Sequence, residues 1–300
     1  MDRNVNQASG MSSFRWPLSV SRHGSMKERD QSMFTRMFLH RKNLYGSASP
    51  IGLNTAARVN LENRVQATYD ALLTVRQGDA REPLVDVRAY DPSIIAQYES
   101  PDMIPYTGST ILVRDTVACK LAALNQALQA EQELRIKVVY GYRSPNVQTK
   151  YFLAEKEKLH QADPTLSDAE LNRRAHVFVA YPPVAGHTTG GAVDLTLTKD
   201  GQPLDMGTQI QHDDFSESAK LPTFGDGLSG EQFSNRLRLL VVMTRFGFIP
   251  FLGEWWHFSY GDREWAFYTG SASSLYSAVY LDSSISLAAQ PSQSPEQLKP

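Results

Sequence analysis

Two imidazoles and one carboxylate in this 300-residue chain stand in company that purely structural residues seldom keep. His187 opens HTTGGAVDLTL, where the Gly190-Gly191 pair permits a tight turn ahead of a strand carrying Asp194, a residue type that strands avoid. Something must offset the cost of that carboxylate beside a hydrophobic strand. A bound cation does so, and His187, Asp194 and His257 supply the two-histidine, one-carboxylate set of a catalytic zinc with one position left for water. His257 lies in GEWWHFS, three residues after Glu254. Near such a metal a glutamate can act as general base in amide hydrolysis, since the metal lowers the pKa of water to about 7 and the carboxylate can carry the proton to the leaving amine. Residues three apart in a regular strand face opposite ways, so the chain between Gly253 and Trp255 must leave strand geometry if Glu254 and His257 are to share one site. Trp255 and Trp256 are expected to shield that site from water. Arg143 ends RIKVVYGYR before a turn, where a guanidinium can project over a sheet end and stabilise an oxyanion. Taken singly, each of these residues is commoner as a core or surface side chain; their combination is what points to a reaction.

The elements that must position them can be read from periodicity. AVDLTL (192–197) alternates as a strand, sending Val193, Leu195 and Leu197 to the core and Asp194 to the other face. PLVDVRAY (83–90), RIKVVYGYR (135–143) and FIPFLGEWWHFSY (248–260) read as further strand-like segments. Helical spacing marks 53–76, 112–130 (Val113, Val117, Leu121, Leu124 and Leu128 on one stripe), 147–160 and 231–246, the last stopped by Gly247. Ser167 and Glu170 have capping-box spacing and predict one more short helix. Without regular βαβ alternation, the order favours an α+β domain with a small central antiparallel sheet flanked by helices.

Composition bounds the alternatives. A hydrophobic share of 41%, a charged share of 21% and a formal net charge of -2 describe an ordinary globular chain, with no general affinity for nucleic acid. One cysteine, Cys119, excludes an internal disulfide framework and any thiolate metal cluster. Residues 1–45 carry eight Lys/Arg against three acids and read as part of a basic, disordered segment (1–50). The folded domain is expected over 51–270, followed by a loosely attached low-complexity tail (271–300) rich in Ser, Ala, Gln and Pro. No run approaches the roughly 20 apolar residues of a membrane span, and no leader is evident, so a cytoplasmic location without membrane association is expected.

The pattern His187-x-x-Gly190-x-Ala192-x-Asp194, with Glu254-Trp255-Trp256-His257 after it and Gly141-Tyr142-Arg143-x-Pro145 before it, resembles the D-alanyl-D-alanine dipeptidases. These are zinc metallopeptidases that include the vancomycin-resistance dipeptidase. Met206-Gly207-Thr208, Asp213-Asp214-Phe215 and Asn235-Arg236-x-x-Leu239 look like further family landmarks. The resemblance implies a compact single domain with zinc in a surface cleft over the sheet, His187, Asp194 and His257 as ligands of one zinc per subunit, Glu254 as catalytic base and Arg143 as transition-state stabiliser. It also implies a small dipeptide as substrate, with Asp213 or Asp214 toward its amino group, and Tyr142 and Trp256 are further candidates for substrate contact. Two positions depart from the family pattern. Ala185 stands where a serine is common, and Tyr140 where an aspartate is common, so substrate identity is less constrained than reaction type. The rival expectations are a D,D- or L,D-carboxypeptidase acting on peptidoglycan stem peptides and a zinc-stabilised binding domain without catalysis. A carboxypeptidase of that kind needs export, and a purely structural site gains nothing from Glu254.

Overall fold

The computed structural model describes residues 66–210 and 215–281. Its elements run α1 (Tyr69–Thr74), β1 (Leu84–Asp86), β2 (Ile95–Ala96), α2 (Ile104–Thr107), β3 (Leu112–Arg114), α3 (Asp115–Gln132), β4 (Leu134–Tyr140) and α4 (Pro145–Ala162). Then follow α5 (Asp168–Phe178), β5 (Ala192–Lys199), β6 (Gln202–Pro203), α6 (Gly230–Arg245), β7 (Ile249–Pro250), β8 (His257–Ser259) and α7 (Arg263–Thr269). The strands β2-β4-β5-β8-β7 form one sheet in that order, with β6 added to β5. Every pairing in it is antiparallel except β2 with β4. The α+β expectation is met, and among the described residues no helix is long and apolar enough to cross a membrane.

β5 lies between β4 and β8 because nearly every one of its residues can be buried; Ala192 to Thr198 are all covered, so both faces are occupied. Val193, Leu195 and Leu197 face a core shared with Ile136 and Val138 of β4, Val117, Leu121, Leu124 and Leu128 of α3, and Leu237, Leu240 and Met243 of α6. Each such side chain contributes about 1.5–3 kcal/mol by leaving water. The opposite face carries Asp194 and Thr196 and is left for chemistry. Helix α6 starts at a full capping box, Ser229 with Gln232, and α5 at Ser167, whose hydroxyl accepts from the Glu170 amide at 3.3 Å.

Several expectations shift. Val113 belongs to β3 rather than to the helical stripe, since the helix begins only at Asp115. Of the 53–76 helix, the described part is helical only over Tyr69–Thr74; residues 53–65 lie outside the described residues, as do the basic segment 1–50 and residues 282–300. The strand from Pro83 stops at Asp86, whose carboxylate takes the Arg88 amide at 2.8 Å and turns the chain. The expectation of a loose tail from Ser271 is corrected over 271–281. The Ser274 amide donates to Arg76 O, the Val279 amide to Thr188 O and Arg114 Nη2 to Ser277 O, while Tyr276 is buried. Backbone pairing and one aromatic anchor hold a segment whose composition shows no periodicity.

The landmark Asn235-Arg236 serves the scaffold. Arg236 is 1% exposed and donates to the carbonyls of Met206, Lys220 and Pro222, each at 2.6 Å, with burial pulling its pKa down to about 10. Asn235 Nδ2 reaches the Asp205 carbonyl at 2.9 Å. One buried guanidinium thus ties together the loops that flank the GEWWHFS segment. Arg236→Leu is expected to lower unfolding stability by about 2–4 kcal/mol, because the orphaned carbonyls cannot reach water. A urea midpoint equal to that of the wild type would show that these bonds are replaceable.

Candidate active site

Register places the first two groups. Asp194 of β5 pairs with His257 of β8 on one side and with Tyr140 of β4 on the other. Residues directly opposite one another in an antiparallel pair project from the same face, with Cβ atoms about 4.5–5.5 Å apart. Plain alternation along β4 would put Tyr140 on the core face with Ile136 and Val138. A register shift between Val138 and Tyr140 inserts Val139 and turns Tyr140 onto the face of Asp194.

His187 arrives from a 3-10 turn, His187–Thr189, that enters β5 through the glycine pair. Gly190 has φ +75°, and a Cβ there would lie 2.4 Å from Leu84 Cδ2; at Gly191 a Cβ would lie 2.3 Å from the Tyr260 carbonyl. Only glycine permits this left-handed, closely approached turn. The His187 Nδ1 is 2.7 Å from the Gly141 carbonyl, an acceptor only, so Nδ1 carries the hydrogen and Nε2 keeps its lone pair.

Glu254 joins His257 from GEWWHFS, and here the chain does leave strand geometry. The Glu254 amide donates to Phe251 O at 3.2 Å and the His257 amide to Glu254 O at 3.3 Å, two successive turns between β7 and β8. The Trp255 amide is held by Leu221 O, and its indole Nε1 donates to Thr208 Oγ1 at 2.8 Å. Because the turns replace pleated backbone, the strict up-and-down rule no longer applies to Glu254 and His257.

Three donors converge. His257 Nδ1 is 3.0 Å from Asp194 Oδ1, His187 Nε2 is 3.4 Å from Asp194 Oδ2, and the two imidazole nitrogens are 3.2 Å apart. A tetrahedral zinc with ligands about 2.0–2.2 Å away spaces neighbouring ligands by about 3.3–3.6 Å, a range the three separations approach. The unprotonated His187 Nε2 facing a carboxylate oxygen is an acceptor against an acceptor, which a cation between them resolves. The residues present therefore fit the metal.

Electrostatics agree. Burial works to raise the Asp194 carboxyl, but the neighbouring imidazoles of His187 and His257 outweigh it and hold the group well below the usual carboxylate range. Burial lowers the pKa of His187. Burial also opposes charge on His257, yet Asp194 and then Glu254 reverse this and lift its pKa to about 9. Glu254 is pushed up to about 7, chiefly by burial, with His257 and Arg143 pulling it down and Asp194 pushing it further up. A carboxyl poised there can hold or release a proton near neutrality.

Arg143 lies just before Ser144, the cap of α4, and its amide donates to the His187 carbonyl at 3.0 Å. Its Nη1 donates to Gln148 Oε1 at 3.0 Å, and Gln148 is fixed in turn by Nε2 to Ala180 O at 2.8 Å. The guanidinium carbon stands 4.4 Å from the Tyr140 ring centroid and 5.5 Å from that of Tyr151. Tyr140 and Tyr151 both donate their hydroxyls to Asp102 Oδ2, at 2.6 Å and 2.7 Å. Sequence reasoning missed Gln148, Tyr151 and Asp102. The five-residue spacing of Gln148 after Arg143 was a weak signal, and Asp102 offered none.

The remaining candidates fare differently. Tyr142 is buried to 1% exposure, with its hydroxyl donated to Val279 O at 2.8 Å, and Trp256 is buried to 4% among core residues. Both are corrected from substrate contacts to packing, Trp256 standing edge to face with Trp255 behind the site. Asp213 and Asp214 lie outside the described residues. Ala185 is buried at 3% and brings no polar group.

Comparison with known proteins follows the same lines. A curated D-alanyl-D-alanine dipeptidase from Synechocystis is 41% identical over 91 residues, 27% of this chain and 36% of the relative. One from Enterococcus faecium is 33% identical over 82 residues, 26% of this chain and 38% of that protein. The chain thus spans little more than a third of the curated relatives it matches. Among solved structures, the LdcB LD-carboxypeptidase aligns at 21% identity with a TM-score of 0.37, over 67% of this chain and 81% of its own. The M15 peptidase model, described as D-ala-D-ala dipeptidase, matches residues 101–278, from the turn that carries Asp102 to the segment that packs beneath Thr188, and the chain belongs to that family.

Proposed function

We propose that this protein is a zinc-dependent dipeptidase that hydrolyses D-alanyl-D-alanine, or a similar small D,D-dipeptide, to free amino acids. The observation that carries the reading is the convergence of His187, Asp194 and His257, with the half-buried Glu254 three residues before His257 pushed up to about 7 by desolvation. A zinc ion held by those three residues supplies Lewis acidity, lowering the pKa of water toward about 7. Glu254 accepts a proton as water adds to the scissile carbonyl carbon and delivers it to the nitrogen as the C–N bond breaks. Arg143 meets the negative charge growing on the carbonyl oxygen, while Trp255 and Trp256 keep bulk water from the back of the site. Such an enzyme would recycle cell-wall dipeptides or deplete the terminus that vancomycin recognises.

One observation favours a second reading, carboxypeptidase action on peptidoglycan stem peptides. A groove of about 900 Å³, lined by Tyr98, Lys137, Thr196, Thr208 and Trp255 among others, opens two residues along β5 from Asp194; none of His187, Asp194, His257, Glu254 and Arg143 lines it. A longer peptide could extend from the site into that groove, whereas a dipeptide has no need of it. The deciding assay offers purified protein D-Ala-D-Ala, L-Ala-L-Ala and a D-Ala-D-Ala-terminated pentapeptide, with and without chelator. Chelator-sensitive cleavage of D-Ala-D-Ala alone is expected. Preference for the pentapeptide would move the assignment to the carboxypeptidase, and no cleavage of any peptide would leave the non-catalytic zinc domain.

A further inference from the structure

We propose that Asp102 is a positioning residue for Arg143, acting through Tyr140 and Tyr151, whose rings form a cage that the Asp102 carboxylate locks. The inference rests on Arg143 acting on the substrate as proposed above. Three segments build the cage: the 3-10 turn Pro101–Met103, and, well downstream of it, the end of β4 and the second turn of α4. One carboxylate oxygen, Asp102 Oδ2, takes both phenol hydrogens. Each phenol could otherwise rotate about its ring axis or turn to water; sharing one acceptor fixes both rings relative to each other.

The guanidinium carbon of Arg143 then lies 4.4 Å and 5.5 Å from the two ring centroids, within cation–π range of both. The other carboxylate oxygen, Asp102 Oδ1, is buried without a hydrogen-bond partner, as is Arg143 Nε. Apart from Nη1 on Gln148 and a side-chain hydrogen bond with Tyr140, the arginine is therefore held by ring faces and by charge rather than by a direct ion pair. A direct carboxylate would occupy the donors that a substrate oxygen needs. Routing the negative charge through two phenols orients the cation without a carboxylate bound directly to it and leaves Nε without a partner.

Tyr140 also touches the metal cluster, edge to face with His187 at 5.5 Å between centroids, so the cage ties the arginine's place to the candidate ligands. Its position depends on the extra residue in β4 that turns Tyr140 onto the site face.

The test is a double-mutant cycle on the full-length zinc-loaded protein. Asp102→Ala is expected to lower kcat on D-Ala-D-Ala by about 10-fold to 100-fold with KM changed less than about 3-fold, and Asp102→Asn, which keeps an acceptor oxygen, to recover part of the loss. In an Arg143→Ala background the same Asp102→Ala change should cost nothing further. Tyr151→Phe, at a half-buried position, repeats the test should Asp102→Ala fail to fold. Wild-type kcat in both variants, or losses that add to that of Arg143→Ala, would overturn the proposal.

A readout independent of hydrolysis separates this proposal from the enzymatic reading. The Arg143 Nε–H resonance, identified by its loss in Arg143→Lys, should be protected from exchange in the ¹⁵N spectrum of the wild type and lose that protection in Asp102→Ala. An unchanged signal in Asp102→Ala would refute the cage even if the enzyme is active, and a lost signal would support it even if no peptide is cleaved.

Discussion

Glu254→Ala is expected to keep its zinc and lose hydrolysis of D-Ala-D-Ala by about 100-fold to 10,000-fold in kcat, the range that a positioned acid–base group supplies. The side chain is not one of the three converging donors, so metal content measured by atomic emission should match the wild type. Nor does its loss cost stability. A carboxyl lifted to about 7 mainly by burial is held in the fold at a cost, and removing it is expected to leave the urea midpoint equal or higher. Those three readings together distinguish a base from a structural carboxylate, which would lose stability with little change in rate. A variant that retains the wild-type rate would remove Glu254 from the reaction.

His187→Ala should have the opposite profile. Its Nε2 is one of three donors whose mutual separations run from 3.0 to 3.4 Å, and its Nδ1 is already committed to Gly141 O. Loss of a direct ligand should weaken zinc binding by more than the roughly 10-fold to 100-fold typical of outer partners, and activity should follow metal content. The change also leaves Asp194, 3% exposed, without one of the two imidazoles that keep it ionised. Holo wild type should therefore unfold at a higher denaturant concentration than either the variant or the chelated protein, because a metal that binds only the folded state stabilises it by mass action. Full zinc content and full activity in His187→Ala would dismantle the site.

Much of this was legible in the chain because it is local. The strict alternation of AVDLTL predicts both the strand and the odd placement of Asp194 on it. The glycine pair after His187 announces a turn that no other residue accommodates. The stripe Val117, Leu121, Leu124 and Leu128 predicts a helix buried on that side. Even the break in GEWWHFS could be deduced, since Glu254 and His257 cannot share a side of a regular strand.

Tertiary structure decided the rest. Nothing in RIKVVYGYR marks Val139 as an extra residue in the ladder; only the register against β5, fixed by core burial on the far face, turns Tyr140 toward Asp194. Tyr142 and Trp256 stand in the signature patterns and so read as substrate contacts, yet strand and turn geometry aim them into the core. The segment 271–281 lacks any periodic pattern of its own, because its order comes from partners outside it, such as Gly261 and, far back in the chain, Arg76 and Thr188. Asp102 shows the division most sharply. Its sequence neighbours, Pro101 and Met103, carry no sign of catalysis, and its meeting with Tyr140 and Tyr151 spans 38 and 49 residues. Types and spacing nominated the groups proposed to hold a metal and the one proposed to move a proton, since ligand chemistry belongs to the side chain itself. Where the arginine points, and what holds it there, depends on contacts between distant segments that exist only once the sheet has closed its register.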